Sequence, residues 1–393
     1  MKTGACEVRK EVFILTPEPP EILGGLETFI REQIHGLEEH GYAVRIFHRK
    51  NSAPHSFLQY AQKICPPIAD AFRGFFIGRA AQQSMHEEVA AVISHSTVGW
   101  YPLRVPPSCK QVHFYHGTYR AYAEVIRPRI SLGGYWKMKW WDSMVLERLS
   151  GRGKRVLSNS GQVAEEVLRF FGYESHVVSL IASRQSPPLD QGTCRRSFDL
   201  PADACVGVFV GSLHPMKNFG VVRALIRALP DVYWVLAIRG ELPEDSFRTS
   251  RVRLIQDAPP ELLPAIYSSG DFSLCPSVYE PFGYVVAEAL ACGVPVIASP
   301  GGASSLFLSE PPLDVLLVPR AEDTEAFLEI IREVLARPLF YRQLVLEHAR
   351  PRVERWMSPE NWWPRFFDVT GLSDFSPEVE NARTKLATTG ARG

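Results

Sequence analysis

One rhythm recurs along this chain and limits what it can fold into. A short apolar run leads to a loop, then to an amphipathic helix, then to another apolar run. Val12–Thr16 opens it, followed by the loop Glu21–Leu26 with Gly24-Gly25 and a helical pattern from Glu27 to Glu39 that His40-Gly41 stops. Tyr42–Phe47, Ala91–Ser94, Val112–Tyr115 and Arg155–Ser158 read as further strands. This alternation predicts a parallel sheet covered by helices on both faces. The pattern breaks between Ala182 and Pro201, where SRQSPPLDQGTCRRSFDLP is polar and proline-containing and reads as a linker. It then restarts with Cys205–Val210, the loop GSLHPMKNFG, a helix Val221–Leu229 and strands at Tyr233–Ile238, Arg253–Ile255, Phe272–Cys275, Val294–Ala298 and Val315–Val318.

The expectation is therefore two consecutive, doubly wound α/β domains of similar size. A chain of 393 residues is long enough for both. In such sheets ligands bind outside the carboxyl ends of the strands, so the chemistry belongs in the loops just after strands, facing a cleft. The tail SDFSPEVENARTKLATTGARG lacks apolar periodicity and reads as disordered.

Charge and cysteine usage narrow the class. The formal net charge is zero, so no global field points to nucleic acid or to a membrane. From Met1 to Ser183, however, 22 basic residues face 17 acidic ones, a net +5 balanced by −5 in the remainder. Either this is ordinary surface scatter, or the first half meets something anionic. The seven cysteines are scattered and never in CxxC spacing, which points to reduced thiols in a cytosolic protein without a zinc site or disulfide framework. The N-terminus has only the short run VFIL and does not read as a signal peptide. No run of about 18 apolar residues occurs that could span a membrane.

The most informative stretch is EPFGYVVAEALACGVPVIASPGG, Glu280 to Gly302. Glu280 ends the loop after a strand. Gly283 lets another group approach the backbone, and the amides of Gly283, Tyr284 and Val285 open a helix, a ready anion site. A carboxylate beside an anion site suits a ligand that carries hydroxyls as well as phosphate. Glu288, further into the helix, could take a second pair of hydroxyls, such as a ribose diol. Lys217, on the loop after Cys205–Val210, is placed to neutralise a diphosphate. Gly24-Gly25 allows close backbone approach or simply turns the chain. It is not GxGxxG, so a dinucleotide fingerprint is absent. His116 follows a strand and could hydrogen-bond a hydroxyl or share a reacting centre's charge, and His95 ends another strand. No D-x-D, P-loop, HExxH or G-x-S-x-G occurs. GYWKMKWWDSMVLERL and IADAFRGFFIGRA mix aromatics with Lys and Arg. Each reads as a core face, or as a face for a membrane interface or an acceptor.

Taken together, E-x7-E within EPFGYVVAEAL, FVGSLHPMK ending in Lys217, His116-Gly117 and Gly24-Gly25 resemble the retaining GT-B glycosyltransferases of family 4. The resemblance covers roughly residues 10 to 370, and its C-terminal block is the specific part. It implies two Rossmann-like domains facing across a cleft: an acceptor-binding domain over 1–183, a linker over 184–200 and a donor-binding domain over 201–355. A closing helix over 356–372 would return to the first domain, ahead of a disordered tail over 373–393. It also implies a nucleotide-diphosphate sugar donor, UDP by default, and a sugar-containing, lipid-linked or small-molecule acceptor. No cofactor and no metal are implied, in keeping with the missing D-x-D. Carried over, Glu280 contacts the donor sugar, Lys217 the diphosphate and Glu288 the ribose. Phe282, Gly283 and Tyr284 supply backbone contacts, His116 lies beside the sugar, and Gly24-Gly25 near phosphate and acceptor. The protein would be cytoplasmic, with peripheral contact at the inner membrane surface open.

Two departures stand out. Ser212 occupies the place where the family commonly has an arginine in G-R-L, and SLIASRQS replaces its usual P-N-G-V-D. Ser212 keeps a second class open, a non-catalytic member that binds a sugar nucleotide or a protein partner. A GT-B epimerase or phosphorylase, and a Rossmann oxidoreductase, are the remaining readings.

Overall fold

The computed structural model describes residues 10–22, 24–52, 55–182, 187–240 and 250–373. The tail expected to be disordered lies outside the described residues, apart from its first residue. The chain divides into two units. The first holds the residues up to Glu124, Ile130–Ala182 and the segment from Pro359; the second holds Val125–Arg129 and Ser183–Ser358.

The first unit is built on six parallel strands: β1 Glu11–Leu15, β2 Ala43–Phe47, β3 Val89–His95, β4 Lys110–Tyr115, β5 Arg155–Ser158 and β6 His176–Val177. Their order is β2-β1-β3-β4-β5-β6. Val12, Phe13, Ile14, Ile93, Val112 and Phe114 have no exposed surface. Helices on both faces bury such strands completely, which is why they read as unbroken apolar runs. The order reverses between β1 and β3, and a sheet of this kind opens its ligand crevice there.

The helix Pro359–Thr370 also belongs to this unit. Trp362 is fully buried, and its Nε1 donates to the Ser179 carbonyl at 2.5 Å. Its ring meets Phe29 at 5.9 Å, and Trp363 lies 4.9 Å from His40.

The second unit has five parallel strands: β7 Val206–Ser212, β8 Tyr233–Arg239, β9 Val252–Gln256, β10 Phe272–Cys275 and β11 Val296–Ala298, in the order β11-β10-β7-β8-β9. Its switch point falls between β7 and β10, so the loops after these two strands flank the crevice.

Two expectations fail here. Val315–Val318 is not a strand. The Asp314 carbonyl accepts from the Leu317 amide at 3.0 Å and closes a tight turn over Asp314–Leu316. Only Leu317 reaches the sheet, in a single bridge to Ala298. The segment read as a linker contains the helix Gln191–Ser197, capped by the Asp190 side chain, which accepts from the Thr193 amide at 2.8 Å. That helix is docked. Arg195 is 6% exposed and bonds both oxygens of Asp271, whose Oδ2 also accepts from the Val206 amide at the start of β7. The cysteines Cys65, Cys109, Cys194, Cys205, Cys275 and Cys292 are free thiols.

Candidate active site

In the second unit the chain leaves β7 at Ser212 and makes a tight turn over Pro215–Lys217. Asn218, in the left-handed region at φ 51°, ends the turn, and its Nδ2 donates to the Ala321 carbonyl at 2.8 Å. The loop after β10 is tied to this one, since the Val278 amide donates to the Met216 carbonyl at 2.8 Å. That tie brings Lys217 to Glu280. The ammonium donates a short hydrogen bond to Glu280 Oε2, and Ser277 Oγ donates to the same oxygen at 3.0 Å. The side chains are only 14% and 9% exposed. Burial is the largest single influence and pulls the Lys217 ammonium down, but the charge and hydrogen bond of Glu280 together with Cys275 and Glu288 outweigh it, and the net shift is upward. The lysine stays a cation.

Glu280 Oε1 accepts nothing among the described residues, and Lys217 has hydrogens to spare beyond the one it gives to Glu280. Glu288 repeats the pattern. It sits in the helix Tyr284–Ala291, and its Oε2 accepts from Tyr267 Oη at 2.9 Å, leaving Oε1 open among the described residues. Burial raises the Glu288 carboxyl above the ordinary range, and Tyr267 and Lys217 pull it back in part.

Gly283 begins that helix from the left-handed region at φ 91°. The Val286 amide donates back to the Gly283 carbonyl at 3.1 Å and closes the first turn. Phe282 is 2% exposed, and its carbonyl accepts from the Ala303 amide at 2.5 Å. Its side chain therefore anchors the loop, and Tyr284 packs against it at 5.7 Å. Gly302 makes this possible: at φ +47°, a Cβ there would stand 2.2 Å from the Phe282 oxygen. Ser212 lies opposite Arg239 in the β7–β8 register, so an exposed arginine ends the neighbouring strand.

The first unit carries a separate group at its own switch point. Gly24 caps the helix Gly25–Glu39, which follows β1, and both glycines are at least partly open to solvent. Gln33, on the same helix, is fully buried. Its Oε1 pairs with His95 Nε2 at 3.2 Å, and His95 Nδ1 pairs with His116 Nε2 at 3.0 Å. With the Gln33 oxygen accepting, His95 carries its proton on Nε2 and His116 donates to His95. Burial holds His95 down at about 3 and His116 well below the usual histidine range. Both rings are neutral near pH 7. His116 is thus a neutral ring that can exchange hydrogen bonds, the first of the two roles expected of it. Phe114 stacks on it at 4.7 Å and Phe29 leans on it at 5.2 Å.

Tyr267, Ser277, Gln33 and Arg239 were missing from the sequence reading. Tyr267 and Gln33 reach their partners from distant segments, Arg239 lies opposite Ser212 only through sheet register, and Ser277, three residues before Glu280, matters through its side-chain direction.

Two doubly wound parallel sheets, the second with a lysine and two glutamates around its switch point, define a GT-B glycosyltransferase fold. Solved structures agree at the level of fold. Sucrose-phosphate synthase from Thermosynechococcus elongatus is similar with a TM-score of 0.72 at 19% identity, over 92% of this chain and 98% of that one. WaaG, a glycosyltransferase involved in lipopolysaccharide biosynthesis, gives 0.69 at 14% identity, over 92% and 100%. In sequence, the family Glycosyl transferases group 1 matches residues 204–337, and Glycosyltransferase Family 4 matches residues 23–182. The chain belongs to the group 1 glycosyltransferases of the family 4 kind. A D-inositol 3-phosphate glycosyltransferase 2 from Catenulispora acidiphila is 30% identical over 172 residues, which is 37% of this chain. The match spans 40% of the length of that relative.

Proposed function

We propose that this protein is a retaining glycosyltransferase that moves a sugar from a UDP-sugar to an acceptor hydroxyl without a metal ion. The observation that carries the reading is the buried Lys217–Glu280 pair, held between the two loops that flank the second sheet's switch point. The remaining hydrogens of Lys217 bind the diphosphate and offset its charge as it leaves. Glu280 Oε1 accepts from the donor sugar's hydroxyls, and Glu288 Oε1 from the ribose diol. The amides after Gly283 lie against the phosphate end of the donor. Arg239, opposite Ser212, supplies the cation that the serine does not. In the reaction the acceptor oxygen bonds the anomeric carbon on the face that the diphosphate leaves, and the acceptor proton passes to a phosphate oxygen of the departing nucleotide.

The first unit takes the acceptor, with His116 as a neutral hydrogen-bonding partner and Gly24-Gly25 allowing close approach. A relative that bears the name of an inositol phosphate makes a phosphorylated polyol the first acceptor class to try. Ser212 favours a second reading, a chain that binds a sugar nucleotide or a protein partner without turnover.

Titration calorimetry with UDP, GDP and ADP, without added metal, tests the donor site. Binding of one nucleotide that Glu288→Ala weakens supports it and names the base. Donor hydrolysis or transfer that Glu280→Gln abolishes separates the enzyme from the silent binder. Absence of any nucleotide binding would overturn the transfer reading.

A further inference from the structure

Three helical segments run end to end in the first unit: Leu132–Trp136, the π-helix Lys137–Glu147 and Arg148–Gly151. Their inner face is settled. Tyr135, Asp142, Ser143, Leu146 and Glu147 are buried. The outer face is apolar as well. Leu132, Trp136 and Trp140 are 67%, 47% and 56% exposed, and Val145 and Leu149 continue the line. The spacing explains the alignment. Steps of four keep residues on one face of an α-helix. The step of five from Trp140 to Val145 does the same in a π-helix, whose hydrogen bonds reach one residue further. A regular α-helix would turn Val145 away from the line.

A second apolar group sits beside it. Trp141 Nε1 donates to the Pro67 carbonyl at 2.6 Å, and Lys137 bridges Asp70 and Asp142 at 2.6 and 2.7 Å. These ties fix the segment against the helix Pro66–Gln83, where Ile68 is exposed, with Ile64 and Tyr60 exposed on the helix just before it. Isolated exposed apolar residues are ordinary, but two tryptophans in line with three aliphatics mark an interaction surface.

The charge around the stripe selects the partner. Both acids of the run, Asp142 and Glu147, point inward and are 3% exposed. Arg148 and Arg152 are exposed at one end, and Lys63 is exposed beside Ile64. Lys139 lies 5.8 Å from the Trp136 ring but is paired with the partly exposed Glu124, so the unbalanced positive charge at the border comes from Arg148, Arg152 and Lys63. The outer face thus presents tryptophan and aliphatic groups bordered by cations, which is the chemistry of an interface between anionic lipid headgroups and acyl chains. Among the described residues no helix is long and apolar enough to cross a membrane.

We propose that this face docks the protein on the surface of an anionic phospholipid bilayer, with Trp136 and Trp140 inserted at headgroup depth. The docking stands on the first unit alone and does not require the transfer reading.

Co-sedimentation with vesicles, without nucleotide present, tests it. One set contains phosphatidylcholine alone and the other an equal mixture with phosphatidylglycerol. The intact chain should pellet with the mixed vesicles and much less with the neutral ones. Trp136→Ala/Trp140→Ala should reduce partitioning by about tenfold or more. Arg148→Glu/Arg152→Glu should remove most of the preference for anionic lipid, about fivefold for each charge lost. All four positions are exposed, and unchanged melting would confirm that both variants fold. Brominated lipid should quench the intact chain's fluorescence and quench the tryptophan variant less. Failure to pellet, or equal pelleting of the tryptophan variant, overturns the proposal. So does a dimer in solution that the tryptophan variant abolishes, which would assign the face to a second copy.

Discussion

Lys217 donates to Glu280 across 63 residues of chain, and neither side chain has another ion-pair partner among the described residues. The pair joins the loops after β7 and β10, so it is at once a structural clasp and the charged centre of the proposed donor site. A buried pair of this kind contributes little net stability when intact, yet removing one partner strands the other charge.

Lys217→Met alone and Glu280→Gln alone should each destabilise the second unit by about 3 kcal/mol. The double variant should lose less than the sum, with a coupling of about 1–3 kcal/mol. Urea unfolding of the four chains measures the cycle. Strict additivity would mean the pair is open to water. Nucleotide affinity, read separately, should fall in every chain that lacks Lys217.

Tyr267→Phe should weaken nucleotide binding by about tenfold, the effect of losing one hydrogen bond to a charged group. The hydroxyl steadies Glu288 and restrains its upward shift. Without it the carboxyl rises further, so the deficit should widen as the pH is lowered. An unchanged affinity between pH values of about 8 and 6 would remove Glu288 from the ribose.

Acid should loosen the first unit at a definable point. His95 is held down at about 3 by burial, and His113 and His116 lie well below the usual range for the same reason. Their folded values lie below the unfolded value of about 6.5, so the unfolded chain binds the extra protons. Stability is therefore complete above pH about 6.5 and declines below it, by up to about 1.4 kcal/mol per pH unit for each histidine. Melting followed from pH about 7.5 to 5 should show the decline begin near 6.5, and His95→Asn should flatten it.

Two glycines should respond in opposite directions. Gly302→Ala would force a Cβ to within 2.2 Å of the Phe282 oxygen from a left-handed backbone, and should cost about 3 kcal/mol or more. Gly133→Ala, inside Leu132–Trp136 with nothing within 4 Å of the new Cβ, should stabilise by up to about 1 kcal/mol. Thermal melts of the two variants decide it.

The strands were readable because a sheet buried on both faces writes itself as apolar runs, as in Val206–Val210 and Phe272–Cys275. Glu280 and Glu288 were readable because both lie in one contiguous stretch. Their anchors were not, since Ser277 and Tyr267 matter through side-chain direction, and Tyr267 reaches Glu288 from 21 residues away. Arg239 depended on sheet register, which spacing along the chain does not reveal. The helix Gln191–Ser197 did leave a sign, Asp190 three residues before Thr193, but prolines and polar residues nearby made it read as a linker. Val315–Val318 misled because four apolar residues serve a tight turn as well as they serve a strand.

The helix Pro359–Thr370 packs into the first unit although the whole of the second unit precedes it in the chain. Until it emerges, the nascent N-terminal half lacks the indole that covers Phe29, the ring that leans on His116. A nonsense codon within the second unit would therefore damage the first unit as well.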